Sequence, residues 1–132
     1  MNNKAILCVD DEEIVLSALE SQFIKEFGSE YVIELAQSAE DAFEILDELK
    51  EEDFKLLVIV SDWLMPGMKG DEFLIEADEK FPKVLKVMLS GQADQKAIER
   101  SEEHIEKFKF INKPWDGAAL SKFIRESVEE MS

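Results

Sequence analysis

Residues 56–62 read Leu56-Leu57-Val58-Ile59-Val60-Ser61-Asp62, five aliphatic residues followed by a hydroxyl and a carboxylate. Three of the aliphatic residues are β-branched, which is typical of a strand in a parallel sheet that is covered on both faces. Ligands of open α/β sheets bind just beyond the carboxyl ends of such strands. The position of Asp62 therefore predicts a nucleophile or a metal ligand held by a rigid strand.

Short apolar runs alternate with amphipathic stretches along the rest of the chain. The apolar runs predict five strands, at residues 5–9, 31–36, 56–61, 84–89 and 108–111. The stretches between them predict five helices, at residues 12–27, 39–50, 68–81, 94–100 and from 116 onward. Such alternation is typical of a parallel sheet with right-handed crossovers. We therefore predict an α/β fold, a doubly wound five-stranded parallel sheet with helices on both faces, because five strands are too few for the eight-stranded barrel.

Helical spacing predicts which residues of the first helix face the core. We expect its buried face to consist of Ile14, Val15, Ala18, Leu19, Phe23 and Phe27. Asp10 or Asp11 is the expected N-cap, and Gly28 is the expected end of the helix. The fourth helix offers only Ala97 and Ile98 as clear apolar residues, so we expect it to be weakly packed and mobile.

Length and charge limit the classes of protein to which the chain can belong. Its 132 residues fit one domain, and we expect residues 1–132 to form it. The 15 basic and 31 acidic residues give a net charge of −16. Such a charge repels nucleic acid, because neutralisation of phosphates by Lys and Arg supplies most of the affinity in those complexes. We therefore expect no direct contact with DNA or RNA.

The cysteine content and the N-terminus predict a soluble protein of the cytoplasm. The single cysteine, Cys8, cannot form an internal disulfide, and its place in the apolar run 5–9 indicates a small core residue rather than a reactive thiol. Only five apolar residues follow the polar segment Met1-Asn2-Asn3-Lys4. This run is too short for a signal peptide or a membrane span.

Polar side chains stand at the ends of four predicted strands. Asp10 and Asp11 follow the first strand, Asp62 the third, Ser90 the fourth and Lys113 the fifth. Because these strand ends meet at one edge of a doubly wound sheet, we expect three carboxylates, a hydroxyl and an ammonium in one pocket. Each part alone has an ordinary alternative, since the aspartate pair could cap a helix and a Ser-Gly pair could mark a turn. Their joint occurrence at successive strand ends favours a functional site.

The expected pocket has the composition of a magnesium site. Like carboxylates repel, so the cluster needs a cation or raised pKa values. Hard oxygen ligands favour Mg²⁺ over zinc, which prefers His and Cys. The one histidine, His104, lies in an acidic segment away from this edge and is interpreted as a surface residue. A cation, a lysine and a hydroxyl around an aspartate suit phosphoryl transfer, with Asp62 as the nucleophile.

Four segments carry a resemblance to a known family. They are Val9-Asp10-Asp11-Glu12, the stretch from Ser61 to Gly70 with its Asp-x-x-Met-Pro-Gly-Met-x-Gly pattern, Leu89-Ser90-Gly91, and Asn112-Lys113-Pro114-Trp115. From about Lys4 to Val128 the chain resembles the response-regulator receiver domains of two-component signalling, including the chemotaxis-regulator-like members. The resemblance implies a (βα)5 fold with the strand order 2-1-3-4-5. It also implies a phosphorylation-dependent switch, not a conventional enzyme.

The resemblance implies a role for each acidic residue of the pocket. Asp62 matches the phosphoacceptor, which takes a phosphoryl group from the phosphohistidine of a kinase. Asp11 matches the direct Mg²⁺ ligand, and Asp10 matches the neighbour that reaches the metal through water. Leu64 matches the residue that lends a main-chain carbonyl to the metal.

The resemblance also assigns the residues that respond to phosphorylation. Ser90 and Lys113 match the hydroxyl and the lysine that contact the phosphoryl group, and Pro114 matches a proline preceded by a cis peptide bond. Ser90 replaces the more frequent Thr, and Phe110 replaces the Tyr that many members carry. We hypothesise that phosphorylation draws Ser90 toward Asp62 and lets Phe110 turn inward, which reshapes the face of the fourth helix, fifth strand and fifth helix. The alternative is that Phe110 is only a core residue of its strand.

Two side chains are predicted to tune dephosphorylation. Leu64 and Gln92 stand two residues beyond Asp62 and Ser90 and flank the expected approach of water. Leu64 would shield the acyl phosphate, whereas Gln92 would orient a water molecule.

Two other classes of function compete with the receiver interpretation. A phosphatase of the haloacid-dehalogenase type would carry its nucleophile in an Asp-x-Asp motif after the first strand, where this chain has Asp10-Asp11-Glu12. A receiver-shaped interaction module would lack the intact acidic pair. The expected partners of a receiver are a sensor histidine kinase or a phosphotransfer protein, an output domain or downstream protein, and a second copy in a homodimer.

Overall fold

The computed structural model describes residues 3–92 and 94–130, apart from the side chain of Glu130. The ends of the predicted 1–132 domain and Ala93 lie outside this part. The strands are β1 (Lys4–Val9), β2 (Val32–Ala36), β3 (Lys55–Asp62), β4 (Leu85–Ser90) and β5 (Phe108–Asn112). The helices are α1 (Glu13–Phe27), α2 (Ala39–Glu51), α3 (Gly70–Lys80), α4 (Gln95–His104) and α5 (Gly117–Glu130).

The five strands form one parallel sheet in the order β2-β1-β3-β4-β5. This arrangement confirms the predicted doubly wound fold and its strand order. The order reverses at β1, so β1 and β3 lie side by side while their following helices cover opposite faces. Val9 pairs with Ser61, and Asp62 pairs with Leu89, so the ends of the three central strands are level with one another. Residues that follow these strands therefore meet at one edge.

Two apolar layers cover the sheet. One layer packs α2, α3 and α4 against one face, with Phe73, Leu74 and Leu46 among its buried residues. The other layer packs α1 and α5 against the opposite face around Phe23 and Ile124. Because both faces are covered, the apolar run 56–60 of β3 is buried throughout, as its sequence predicts. No helix of the described residues is long and apolar enough to cross a membrane.

The predicted buried face of α1 is partly wrong. Ile14 and Ala18 are exposed, and Leu16 is buried with Leu19 and Phe23. Because residues 14–16 are all apolar, helical periodicity allows more than one choice of the face that contacts the sheet. Packing on the sheet selected the face that contains Leu16. The predicted cap is also wrong, because Glu12 precedes the helix without a side-chain cap.

Two further boundaries test the sequence prediction at helix ends. Gly28 follows α1 with φ of 60°, a conformation that glycine tolerates, which confirms it as the end of the helix. Helix α4 runs to His104 instead of stopping at Arg100, and its buried residues are Ala97 and Ser101. The Ser101 hydroxyl donates to the Ala97 carbonyl, so a polar residue that periodicity does not count as apolar extends the buried face of α4. His104 is exposed, in agreement with its interpretation as a surface residue.

A buried lysine lies near the start of β4. The side chain of Lys86 is fully buried, and its ammonium pairs with Asp78 at 2.6 Å and donates to the Phe81 carbonyl. Burial lowers the pKa of Lys86, and the contact with Asp78 opposes that shift. Its four-carbon stem fills the layer under α3 while the charged end reaches the C-terminal end of that helix.

Candidate functional site at the carboxyl edge of the sheet

The predicted site residues meet at the carboxyl edge of the sheet. Asp62 and Ser90 are the last residues of β3 and β4, because each strand runs one residue beyond the end that the sequence predicts. The Lys113 backbone N–H donates to the Ser90 carbonyl over 3.2 Å, which ties the chain after β5 to the end of β4. Asp10 follows β1 directly, and its N–H donates to the Ala36 carbonyl at the end of β2.

Three carboxylates form a compact group at this edge. Oxygen atoms of Asp10, Asp11 and Asp62 all lie within 4.8 Å of one another. Asp10 and Asp62 are buried, whereas Asp11 is exposed. One Asp10 oxygen, Oδ1, accepts a hydrogen bond of 2.9 Å from the Glu12 N–H, which orients this carboxylate toward the edge. The structure therefore brings together the three carboxylates predicted for the metal site.

Lys113 supplies the positive charge nearest to this group. Its ammonium lies 2.9 Å from Asp10 Oδ2 and 3.4 Å from Asp62 Oδ1. Burial raises the pKa of Asp62, and the charge of Asp10 adds to the rise while Lys113 opposes it. Burial alone would lower the pKa of Lys113, but its contacts with Asp10 and Asp62 raise it overall. Lys113 therefore stays charged, but its single positive charge compensates only part of the negative charge of Asp10 and Asp62.

The donor set fits a hard divalent cation. The three carboxylates offer oxygen ligands, and no Cys or His of the described residues belongs to the group. The partial compensation by Lys113 leaves excess negative charge that a cation would neutralise. Asp10, Asp11 and Asp62 could therefore hold Mg²⁺.

An open cleft of about 530 Å³ borders the carboxylates. Its lining residues are Asp11, Glu12, Asp62, Leu64, Met65, Pro66, Ser90, Gly91, Gln92 and Lys113. Leu64 is 46% exposed, and the Gln92 N–H donates to the Ser90 hydroxyl over 3.1 Å. The two residues predicted to tune dephosphorylation thus lie at the same cleft as Asp62.

Phe110 lies outside the cleft. It is half-buried in β5 and packs against the apolar layer that contains α4. The Lys113–Pro114 peptide bond is cis.

Sequence reasoning missed the supports of Asp62. The Trp63 N–H donates to Asp62 Oδ1 over 2.8 Å, and the Gly70 N–H donates to the Trp63 carbonyl over 2.7 Å. A Cβ on Gly70 would lie 2.1 Å from the Asp62 carbonyl oxygen, so only glycine lets α3 begin this close to the strand end. The signal was present in the sequence, because Gly70 closes the Asp-x-x-Met-Pro-Gly-Met-x-Gly pattern.

Comparison with known proteins identifies the family. Residues 6–125 match the response regulator receiver domain. The chain belongs to this family. It is 32% identical over 124 residues to the hydrogenase transcriptional regulatory protein HoxA of Cupriavidus necator, covering 94% of this chain and 24% of that protein. It is 29% identical over 132 residues to the chemotaxis protein CheY-3 of Vibrio cholerae, covering 98% of this chain and 95% of that protein.

A solved receiver has the same fold. The CheY-like response regulator receiver domain protein of Methanospirillum hungatei superposes with a TM-score of 0.81 at 27% identity, covering 97% of this chain and 95% of that chain. The receiver spans about a quarter of the length of HoxA but nearly all of CheY-3. The relatives of this chain therefore include a larger regulator, which it matches over part of the length, and a protein of about its own size.

Family membership establishes the general activity. Receiver domains are phospho-accepting signalling switches of two-component systems and are not conventional enzymes. They bind Mg²⁺ at an acidic pocket and interact with histidine kinases and output domains. This membership displaces the alternative of a haloacid-dehalogenase-type phosphatase.

Proposed function

We propose that this receiver is a phosphorylation-dependent switch in which Asp62 accepts a phosphoryl group from the phosphohistidine of a histidine kinase or a phosphotransfer protein. The observation that carries the proposal is the group of Asp10, Asp11 and Asp62, with oxygens within 4.8 Å of one another beside an open cleft. The whole chain then acts as one receiver domain.

Phosphoryl transfer replaces one bond at phosphorus with another. An Asp62 oxygen attacks the phosphorus, the P–N bond of the phosphohistidine breaks, and the imidazole leaves with the electron pair and takes up a proton. Lys113, 3.4 Å from Asp62 Oδ1, neutralises a phosphoryl oxygen as it approaches. The three carboxylates and the Leu64 main-chain carbonyl would hold Mg²⁺, which would supply further positive charge to the phosphoryl oxygens.

The cleft gives a route from chemistry to conformational change. Ser90 lines the cleft with Asp62, so its hydroxyl can move to bond a phosphoryl oxygen. Such a shift at the end of β4 pulls on β5, where Phe110 is half-buried against the layer that contains α4. We propose that the resulting change in the α4-β5-α5 face is what an output domain, a downstream protein or a second copy recognises.

The test is the intact mass of the protein after incubation with acetyl phosphate and Mg²⁺. We expect a gain of one phosphoryl group that is labile in base, depends on Mg²⁺ and is absent in Asp62→Asn. Incubation with a phosphorylated histidine kinase or phosphotransfer protein then tests the natural class of donor. Folded wild-type protein that gains no phosphoryl group from either donor would contradict the proposal.

The control is Asp47→Asn, which makes the same chemical change at an exposed position of α2 outside the site. We expect it to be phosphorylated like the wild type. A loss of phosphorylation in this variant would show that the Asp62→Asn result does not report on the acceptor.

A further inference from the structure

A buried carboxylate on α3 connects the phosphoacceptor loop to α4. Asp71 is 1% exposed, although it lies in the first turn of a surface helix. Its Oδ1 accepts a hydrogen bond of 3.0 Å from the Trp63 indole N–H. Its Oδ2 forms an ion pair and hydrogen bond with the Arg100 guanidinium of α4. The Asp71 carboxylate thus contacts two distant side chains. Trp63 lies 8 residues before Asp71 in the sequence, and Arg100 lies 29 residues after it.

The chain of contacts continues to the phosphoacceptor. Trp63 follows Asp62 directly, and its backbone N–H donates to Asp62 Oδ1 over 2.8 Å. The Trp63 ring is buried at 8% exposure, and the Lys69 ammonium lies 4.9 Å from its centroid. Trp63 therefore contacts Asp62 through its backbone N–H and Asp71 through its indole N–H.

We propose that Asp71 is a positioning residue that couples the Asp62 carboxylate to α4 through Trp63 and Arg100. The proposal rests on the proposed function of Asp62 as phosphoacceptor and adds a path of regulation to that site. This path runs along the β3–α3 side of α4, apart from the one through Ser90 and Phe110.

The burial of Asp71 makes the coupling effective. A carboxylate removed from water needs its partners, because leaving it unpaired costs much more than losing a surface contact. Arg100 is 54% exposed, so it approaches Asp71 from the solvent side and can leave when α4 shifts. A shift of α4 that withdraws Arg100 leaves the Trp63 indole as the remaining hydrogen-bond partner of the Asp71 side chain among the described residues, and changes the position of the indole. By reciprocity, a change at Asp62 that moves Trp63 changes the affinity of Asp71 for Arg100 and biases α4.

The first arm of the test is a double-mutant cycle on phosphorylation. Wild type, Trp63→Phe, Arg100→Gln and the double variant are phosphorylated with acetyl phosphate at saturating Mg²⁺. We expect each single change to lower the maximal rate by about three- to tenfold, because the Asp62 carboxylate is held less well, while the acetyl phosphate concentration at half-maximal rate stays the same. The double variant should be no slower than the slower single variant, because both changes break one path.

Matched variants separate coupling from charge and from stability. Asp71→Asn keeps an oxygen acceptor for Trp63 but loses the ion pair, so it should behave like Arg100→Gln. Arg125→Gln removes an arginine that pairs with Glu26 between α5 and α1, and its rate should stay within about twofold of the wild type. Single variants within twofold of the wild type, or rates that multiply in the double variant, would overturn the proposal.

The second arm reads the path without phosphorylation. In a Trp115→Phe background the tryptophan emission, excited selectively over that of Tyr31, comes from Trp63 alone. We expect Arg100→Gln to shift this emission and Arg125→Gln to leave it unchanged. An emission that Arg100→Gln does not alter would overturn the coupling. If wild type takes up no phosphoryl group, the proposed function fails, and the emission decides the coupling by itself.

Discussion

Asp62 is a carboxylate that the fold buries beside a second carboxylate. Its place at the end of β3 puts it in reach of a ligand, but burial and the charge of Asp10 raise its pKa. The ionised form that a nucleophile requires is therefore the form that the fold disfavours. Lys113 compensates for part of this cost, and a bound cation would compensate for more of it.

We predict that Asp62→Asn stabilises the protein at neutral pH in the absence of Mg²⁺. A carboxylate whose folded-state pKa is raised destabilises the fold when ionised; this penalty is absent below its unfolded pKa of about 4 and complete above its raised folded-state pKa. The melting temperature of the variant should exceed that of the wild type by on the order of 2–5 °C at pH 7. The difference should disappear as the pH falls toward about 4.

The control for this prediction is Glu44→Gln on α2, which changes the net charge equally at an exposed position. It should show a smaller stability gain. Equal melting temperatures for Asp62→Asn and the wild type at pH 7 would mean that burial of Asp62 carries no cost.

Leu64 is an exposed apolar residue at the mouth of the cleft, and it has no group that can orient water. We predict that Leu64→Asn shortens the lifetime of the phosphorylated protein by about three- to tenfold, because an amide can hold a water molecule near the acyl phosphate. The decay of phosphorylated protein is followed by intact mass. Ile14→Asn is the control, since Ile14 is 80% exposed and does not line the cleft. An unchanged decay rate would remove Leu64 from the account of dephosphorylation.

At the scale of the secondary-structure elements, the start of α3 determines how the site is supported. Gly70 lies against the backbone of Asp62 and Trp63, and its N–H bonds to the Trp63 carbonyl. Helix propensity alone favours Ala over Gly by about 1 kcal/mol. The close approach of two backbones outweighs this preference.

We predict that Gly70→Ala destabilises the protein by about 2–3 kcal/mol, because the new methyl would lie 2.1 Å from the Asp62 carbonyl oxygen. Chemical denaturation measures the change. Gly91→Ala is the matched control, since its Cβ would lie at an ordinary 3.7 Å from the Lys113 carbonyl oxygen. A Gly70→Ala variant as stable as Gly91→Ala would contradict the role of the close approach.

Helix α4 has a narrow buried face that consists of Ala97 and Ser101, with Ile105 just beyond its end. Few apolar contacts hold it, so a modest change at Ser90 or Asp71 can shift it. We predict that a phosphoryl mimic such as beryllofluoride, with Mg²⁺, changes amide hydrogen exchange in α4 and β5 severalfold. Amides of α2 serve as the internal control, and Ser90→Ala should weaken the response. Equal exchange across residues 90–115 with and without the mimic would refute the relay.

At the scale of the whole molecule, the net charge of −16 opposes the compact state. The exposed ion pairs between Lys80 and Asp47 and between Lys122 and Glu126 span 3.7 and 3.9 Å, and pairs of this kind contribute little. Repulsion among the remaining acidic groups is therefore largely uncompensated. It acts over the whole surface and is screened by salt.

We predict two separable effects of salt on thermal stability. Raising NaCl from about 0.01 to 0.3 M should raise the melting temperature by several degrees, because the screening length falls from about 30 Å to well below 10 Å. Millimolar MgCl₂ at equal ionic strength should add a further increase that Asp62→Asn reduces, since the variant lacks one of the three carboxylates. A MgCl₂ effect equal to that of NaCl would mean that the acidic group does not select a divalent cation.

Sequence periodicity predicted the five-stranded parallel sheet because its strands are buried on both faces, whereas the strand order followed from the family resemblance. Runs such as 56–60 can satisfy their apolar character only inside a covered parallel sheet, and the strand ends then bring Asp10, Asp62 and Lys113 to one edge. The identities of the site residues were therefore readable from the chain alone, together with the expectation of a divalent cation.

Tertiary structure alone decided the features that depend on packing between distant segments. The phase of α1 follows from contact with the sheet, the requirement for Gly70 follows from the approach of α3 to β3, and the pairing of Asp71 with Trp63 and Arg100 follows from the placement of α4. Periodicity reports whether a residue is buried, but not which distant group meets it. The candidate site residues thus stand at strand ends that local sequence predicts. The contacts that position them depend on how the helices pack.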